Sequence, residues 1–379
     1  MIPFHITGGL VLGPEGLSGA PLSVAEGRIA EGRAGKAVHL PGWEIRAGIV
    51  DVHGDGFERH LAPRRGALRD LPAGLMALDA ELAANGITTA VLAQFFSWEG
   101  GMRSPDFARD MLEALDTVRP HLVTDMRAQL RVETHLIDRF DEVEALIVRH
   151  DIRYVVFNDH LPHDALDKGR RPPRLTGQAL KSGRSPEAHL ALLQKLYDRG
   201  AEVPGAVSAL AARLAARGVL VGSHDDADAT ARRAARDLGL TVSEFPETQE
   251  AALEAVTHGD PVVLGAPNVV RGRSHAGKVA AADLIREGLC TAIASDYHYP
   301  APVQAADILS ADLGQDRAWA LVSSGPAGLL GLADRGVLAP GRRADIVAVN
   351  PATGRPGLTI AGGRIAHADA QAAAALLSA

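Results

Sequence analysis

Five apolar, β-rich runs of this chain end on side chains that can hold a metal ion or move a proton. AGIVDVHGD closes on His53 and Asp55, and QLRVETHL carries Glu133. YVVFNDH closes on His160, VLVGSHDD on His224, Asp225 and Asp226, and CTAIASDY on Asp296. His53 and Asp55 stand two apart, so on a strand they share a face. Imidazole nitrogens and carboxylate oxygens suit a borderline divalent ion: zinc first, with manganese and iron also served. Two histidines and a carboxylate can hold one ion, and the remaining donors a second. Glu133 lies inside an apolar run, where an unpaired carboxylate is costly to bury. Its alternative to a metal is an ion pair with Arg131 or Arg127. Asp159 and Asp225 adjoin His160 and His224 and can orient their rings, or serve as ordinary loop residues. Asp296 is placed as a general base, since a metal-held water has its pKa lowered toward about 7 and a nearby carboxylate can take its proton.

Such groups converge only if the strands run parallel with their carboxyl ends together. Eight strand candidates cover residues 48–53, 88–96, 129–136, 152–160, 219–226, 242–247, 261–268 and 290–297. Most are followed by helical stretches: Ala73–Asn85, Pro105–Thr117, Pro186–Arg199 and Ala227–Leu238. Alternating strand and helix implies a parallel sheet, and eight such units suit a (β/α)8 TIM barrel with its site at the strand carboxyl ends. Short Gly- and Pro-punctuated β runs fill residues 1–47, and RADIVAVNP and LTIAGGRIAH give 336–379 the same texture. The two ends are therefore expected to form one small β-sandwich domain, with the barrel over 48–335. The basic, Pro-rich segment from Leu161 to Ser185 reads as a long loop placed where a lid would sit.

The chain's 379 residues suit a barrel of roughly 250 residues plus an appendage. A net charge of −7 gives no global attraction for nucleic acid or anionic membranes. Cys290 is the one cysteine, which excludes an intrachain disulfide and a cysteine-based zinc site. It reads as a small core residue inside the last strand. No apolar run approaches the roughly 20 residues that span a bilayer, and MIPFHITGG lacks signal-peptide character. A cytoplasmic protein is expected. His121, His150 and His189 read as exposed.

Three basic groups follow strand ends: Arg59, Arg64 and Arg65; Arg170, Arg171 and Arg174; and Arg271, Arg273 and Lys278. Arginine forks match phosphate oxygens, which favours a small phosphorylated substrate over the alternative of a solvated surface. Gly272 to Lys278 fits the first seven positions of a P-loop, but Val279 lacks the hydroxyl that the eighth supplies for magnesium. Glycines there can still bring backbone N–H groups to a phosphate. The absence of GxGxxG, HExxH and GxSxG leaves hydride transfer, zincin and serine-hydrolase chemistry without support.

Several blocks carry a resemblance to a known family. GLADRGVLAPGRRADIVAVNP (331–351) is similar to the amidohydrolase superfamily, metal-dependent distorted barrels with a small β domain built from both chain ends. GIVDVHGDGFERHLAPR, NDHLP, GSHDD, GAPNVVRGRSHAGKV and ASDYHYPA resemble, in collinear order, the PhnM-type α-D-ribose 1-methylphosphonate 5-triphosphate diphosphatases of phosphonate breakdown. That resemblance implies His53, Asp55, Glu133 (bridging), His160, His224 and Asp296 as metal ligands. It also implies attack on a phosphorus of a ribose 5-triphosphate, with pyrophosphate leaving. Glu58, His60, Arg64, Asn268, Arg271, His275 and Lys278 are the expected substrate contacts. A homo-oligomer, such as a dimer, is expected.

The chain departs from the family where TPGQ gives way to LPHDALDKGRRPPR, where Arg273, Ala276 and Lys278 replace parts of GGSHSGN, and in ERHLAPRRG, where a proline commonly follows the arginine. A relative acting on another phosphorylated or anionic compound is the variant reading these imply. Two other readings stay open: hydrolysis or deamination of a C–N bond, and a barrel that only binds a partner.

Overall fold

In the parallel sheet at the centre of the fold, polar side chains appear mainly where they can be bonded. The computed structural model describes residues 3–62, 70–272 and 279–379. Its largest sheet has eight strands adjacent in chain order. They are β1 (Ile49–Gly54), β2 (Ile87–Phe96), β3 (Asp125–Glu133), β4 (Tyr154–Asn158), β5 (Leu220–His224), β6 (Val242–Glu244), β7 (Val262–Gly265) and β8 (Ala292–Ala294). The ladders β1–β2, β3–β4, β4–β5, β5–β6 and β7–β8 are parallel. All ten residues of β2, ITTAVLAQFF, are buried, as expected for a strand covered on both faces. A parallel bridge from Gly54 to Asp296 joins the first strand end to the last, the closure of a barrel.

Helix starts follow local chemistry. Asp70, Ser185, Asp228 and Thr248 each accept a bond from the backbone N–H three residues on, at 2.8–3.2 Å. Leu71–Ala84 and Pro186–Tyr197 also carry proline in the first turn. The eight expected strands all exist, but several are shorter than their apolar runs suggest. Residues 134–136, 159–160, 225–226, 245–247 and 295–297 are turns beyond the strand ends, and Cys290 precedes β8 rather than lying inside it.

The chain divides into two compact units. The first comprises Met1–Leu92, Thr117–Arg127 and Val263–Ala379. It contains a four-stranded sheet and a six-stranded sheet built on chain-end strands. In the latter, Ile346–Asn350 runs antiparallel to Glu44–Ala47, pairing Ile346 with Ala47 and Val349 with Glu44. Trp43, Ile45, Ile346, Leu358 and Ile360 lie in the core of these sheets. The helix Ala370–Leu377, capped by Asp369, was not anticipated. In the same unit, the buried Asp51 carboxylate accepts from the Ser295 backbone N–H at 2.8 Å and from its hydroxyl at 2.6 Å. This clasp ties β1 to the residue that follows β8.

The second unit comprises Ala93–Asp116 and Ala128–Val262. Here the expected loop over 161–185 contains two short helices, His163–Asp167 and Leu175–Ser182. Leu161, Leu166 and Leu175 pack with Trp98 and Leu193. The apolar anchors explain the difference, because prolines and charges dominate the composition while the leucines do the packing. His150 and His189 are buried rather than exposed, and His121 is exposed. His150 bonds Asp116 at 2.6 Å, and His189 lies against the Trp98 ring.

The clasp is testable. Asp51→Ala leaves two buried Ser295 groups unsatisfied and is expected to cost about 2–4 kcal/mol in denaturant unfolding. Asp51→Asn, which can both accept and donate, is expected to retain most of that stability.

Candidate metal centre and active site

In the first unit, backbone bonds set the spacing of the candidate ligands. Asp296 N–H donates to the His53 carbonyl at 3.0 Å, and the Asp296 carbonyl accepts from Asp55 N–H at 2.9 Å. His53, Asp55 and Asp296 are thus carried by two meshed chain segments. Asp296 has φ 55, a left-handed conformation that aspartate tolerates better than most residues. Gly54 is required between His53 and Asp55, since a Cβ there would meet Asp51 Oδ2 at 2.8 Å and the Tyr299 ring at 2.9 Å.

Around this mesh lie further polar groups of the first unit. Tyr299 is fully buried beneath Arg59, whose guanidinium lies 5.3 Å from the ring centroid. Burial, with Asp51 adding to it, pushes its phenol well above the ordinary value, so it stays neutral. Arg59 pairs with Glu81, which also holds His60 Nε2 at 2.5 Å. Asn268 Oδ1 accepts from the Ala281 backbone at 3.0 Å, which makes it a pin for the chain. Arg271 donates to the Tyr297 hydroxyl at 2.7 Å, and both are exposed. Glu58 opens the short helix Glu58–Leu61. Arg64, Arg65, Arg273, His275 and Lys278 lie outside the described residues.

In the second unit, Glu133 ends β3 fully buried. One of its oxygens bonds His160 Nδ1, and the other accepts from Trp98 Nε1 at 3.1 Å and from the His160 backbone N–H at 3.2 Å. These partners replace the alternative pairing with Arg127, which bonds Asp125, and with Arg131. Arg131 lies 4.0 Å over the Phe95 ring and donates to Asn158 Oδ1 at 3.2 Å and to His224 Nε2 at 2.7 Å. His224 Nδ1 faces Glu244 Oε2 at 2.9 Å. A guanidinium only donates. The lone pair of His224 therefore sits on Nε2 and the proton on Nδ1, the tautomer that metal ligation through Nε2 needs, with a cation already facing that lone pair.

The β5–β6 register sets His224 beside Glu244, and the β3–β4 register sets Glu133 beside Asn158. Gln129 Nε2 and the Tyr154 hydroxyl each donate to Glu244 Oε1 at 2.9 Å. Glu244 is thus a fully bonded buried acid that orients His224, as carboxylates do for metal-bound imidazoles. Sequence reading passed over it, although SEF ends a strand by the same rule that exposed His224. It also passed over Asp51 and Trp98. Asp51 is an acid two residues before His53 on the same strand.

Burial, joined by the Arg131 charge, lowers the pKa of His224. Burial also acts to lower His160, but the bond and charge of Glu133 outweigh it and hold that ring above its ordinary value. Cys290 is no nucleophile, because burial pushes its thiol up to about 12. Imidazoles held by buried carboxylates, one of them with its lone pair already facing a cation, are a donor set that fits a divalent metal ion.

A curated protein of Escherichia coli (strain K12), alpha-D-ribose 1-methylphosphonate 5-triphosphate diphosphatase, is 32% identical over 358 residues, which span 89% of this chain and 92% of that protein. The chain belongs to this diphosphatase family. It is accordingly a hydrolase. No family model matches it. Solved structures similar to this family member include an amidohydrolase, at TM-score 0.67 and 14% identity over 97% of this chain and 100% of its own. Another is an adenosine deaminase from Xanthomonas campestris with bound zinc, at TM-score 0.53 and 15% identity over 99% and 96%. The eight-stranded sheet is that of the amidohydrolase fold. Among the described residues, no helix is long and apolar enough to cross a membrane.

Ring NMR of the metal-free protein checks the two histidines. His160 is expected to titrate above 6.5 and His224 below it. The linkage signs are opposite. His160 contributes stability that is complete below 6.5 and lost as pH rises through its folded value. His224 contributes stability that is present above 6.5 and lost as pH falls through its folded value.

Proposed function

We propose that the chain is a cytoplasmic, metal-dependent diphosphatase that cleaves a phosphoanhydride bond of α-D-ribose 1-methylphosphonate 5-triphosphate and releases pyrophosphate. The observation that carries this reading is the 32% identity with a diphosphatase of that specificity across 89% of the chain. The proposed metal ligands are His53, Asp55, Glu133, His160, His224 and Asp296, each at or just beyond the carboxyl end of a strand of the parallel sheet. They would hold one or two divalent ions, zinc first. A bound ion of this kind supplies Lewis-acid polarisation and offsets charge on phosphoryl oxygens.

The chain's own groups do the rest. Glu244 fixes the ring of His224, and Glu133 fixes that of His160. Asp296, held by the His53 carbonyl, takes the proton of the attacking water as the new P–O bond forms and the anhydride bond to pyrophosphate breaks. Arg271, which is exposed and bonded to a phenol, is the described cation proposed to meet the polyphosphate. Lys278, His275 and Arg64 would join it, and Glu58, His60 and Asn268 would shape its surroundings. A homo-oligomer is proposed as the working form.

Likeness of fold to a deaminase favours a second reading, hydrolysis at a C–N bond, because the same donors can act on carbon. The two are separated by assaying pyrophosphate and ammonia release from ribose 5-triphosphates, nucleoside triphosphates and cyclic amides. Metal-dependent pyrophosphate release is expected, falling about 10²–10⁴-fold in Asp296→Asn. Ammonia or ring opening, with no pyrophosphate, would overturn the substrate assignment.

A further inference from the structure

Beyond the groups assigned above, the second unit carries another trio of metal-capable side chains: His135, Asp159 and His163. Its position follows from the sheet. The β3–β4 ladder pairs Glu133 with Asn158 and continues through Thr134 N–H to the Asn158 carbonyl at 2.9 Å. His135 and Asp159 are thereby held just past two adjacent strand ends. His163 opens the helix His163–Asp167, four residues after Asp159.

We propose that His135, Asp159 and His163 form a second divalent-metal site, distinct from the donors at His160 and His224. One nitrogen or oxygen from each lies within 4.8 Å of the others. Asp159 Oδ2 is 2.8 Å from His163 Nε2, and Asp159 Oδ1 is 3.6 Å from His135 Nδ1. Donors about 2.0–2.1 Å from a tetrahedral zinc are roughly 3.3 Å apart, and each histidine nitrogen lies within about 0.5 Å of that spacing from one of the two Asp159 oxygens. The two rings lie with centroids 5.3 Å apart, and each has a nitrogen near the one carboxylate.

Hydrogen bonding alone leaves this arrangement poorly used. Asp159 bonds His163 and the Leu161 N–H, whereas His135 Nδ1 stands beyond bonding distance of Asp159 and has Thr134 Oγ1 at 3.1 Å. A buried imidazole facing a carboxylate and a second imidazole is a two-histidine, one-carboxylate donor set. The side chain of His135 is 4% exposed, while those of Asp159 and His163 are 40% and 47% exposed. The site therefore has a rigid inner ligand and an open outer side for ion entry and a water ligand. An ion there would pin the segment carrying His163–Asp167 and Leu175–Ser182 to the ends of β3 and β4.

The test uses the full chain, stripped of metal, reloaded with Zn²⁺, desalted and assayed for zinc per chain. Wild type is expected to hold one more zinc than either His163→Ala or Asp159→Asn. His224→Ala is expected to lower zinc by a separate decrement, and the His163→Ala, His224→Ala pair to lose both. Equal zinc in wild type, His163→Ala and Asp159→Asn overturns the proposal. The difference between wild type and His163→Ala is read whatever the barrel donors retain, so failure here and failure of the diphosphatase reading are separable. With Co²⁺ as the probe, the visible absorbance is expected to drop in the same two variants.

Discussion

The clasp between Asp51 and Ser295 is the interaction on which the first unit's chemistry rests. A carboxylate fully out of water is tolerated only when its oxygens are bonded. Here two charge-assisted bonds do this, one to backbone and one to hydroxyl. Burial still raises the Asp51 pKa. The gain is positional, because the bonds fix β1 against the chain leaving β8. His53 lies two residues along the strand from Asp51, Asp55 lies just past the strand's end, and Asp296 directly follows Ser295. Three of the proposed metal ligands thus inherit their spacing from one buried pair.

The second unit solves the same problem with acids as partners for imidazoles. Glu133 and Glu244 are both fully buried, and each holds a histidine at a strand end. Their effects differ because their surroundings differ. Glu133 outweighs burial at His160, whereas Glu244 shares its charge with Gln129 and Tyr154, and Arg131 opposes a second cation at His224. One ring is therefore favoured as a cation and the other as a neutral base. Electrostatics of the supporting residues distinguishes two histidines that look equivalent along the chain.

Period and residue type made the eight strands and most helices legible, since buried parallel strands are nearly continuous apolar runs and helix caps are local. Strand ends were harder, because His160, Asp226 and Asp296 lie past the ends of their strands while their apolar neighbours still look like strand. The ligand candidates were visible as strand-end polar residues. Glu244, which obeys that rule, and Asp51, which lies inside its strand, were not, because they sit among residues with more obvious chemistry. The segment after His160 misled for another reason. Its charge and proline content signal a loop, but a few leucines and one tryptophan decide its structure through contacts distant in sequence.

That tryptophan has two duties. The ring of Trp98 packs with Leu161, Leu166, Leu175 and Leu193, and its N–H bonds Glu133. Exposed residues in the connection between the short helices, such as Arg171 and Arg174, can change during evolution without disturbing that packing. The leucines cannot, since moving the indole moves a hydrogen bond on a buried acid. Drift in this segment is therefore channelled: its surface is free to vary, while its inner face is locked by an acid it does not itself contain.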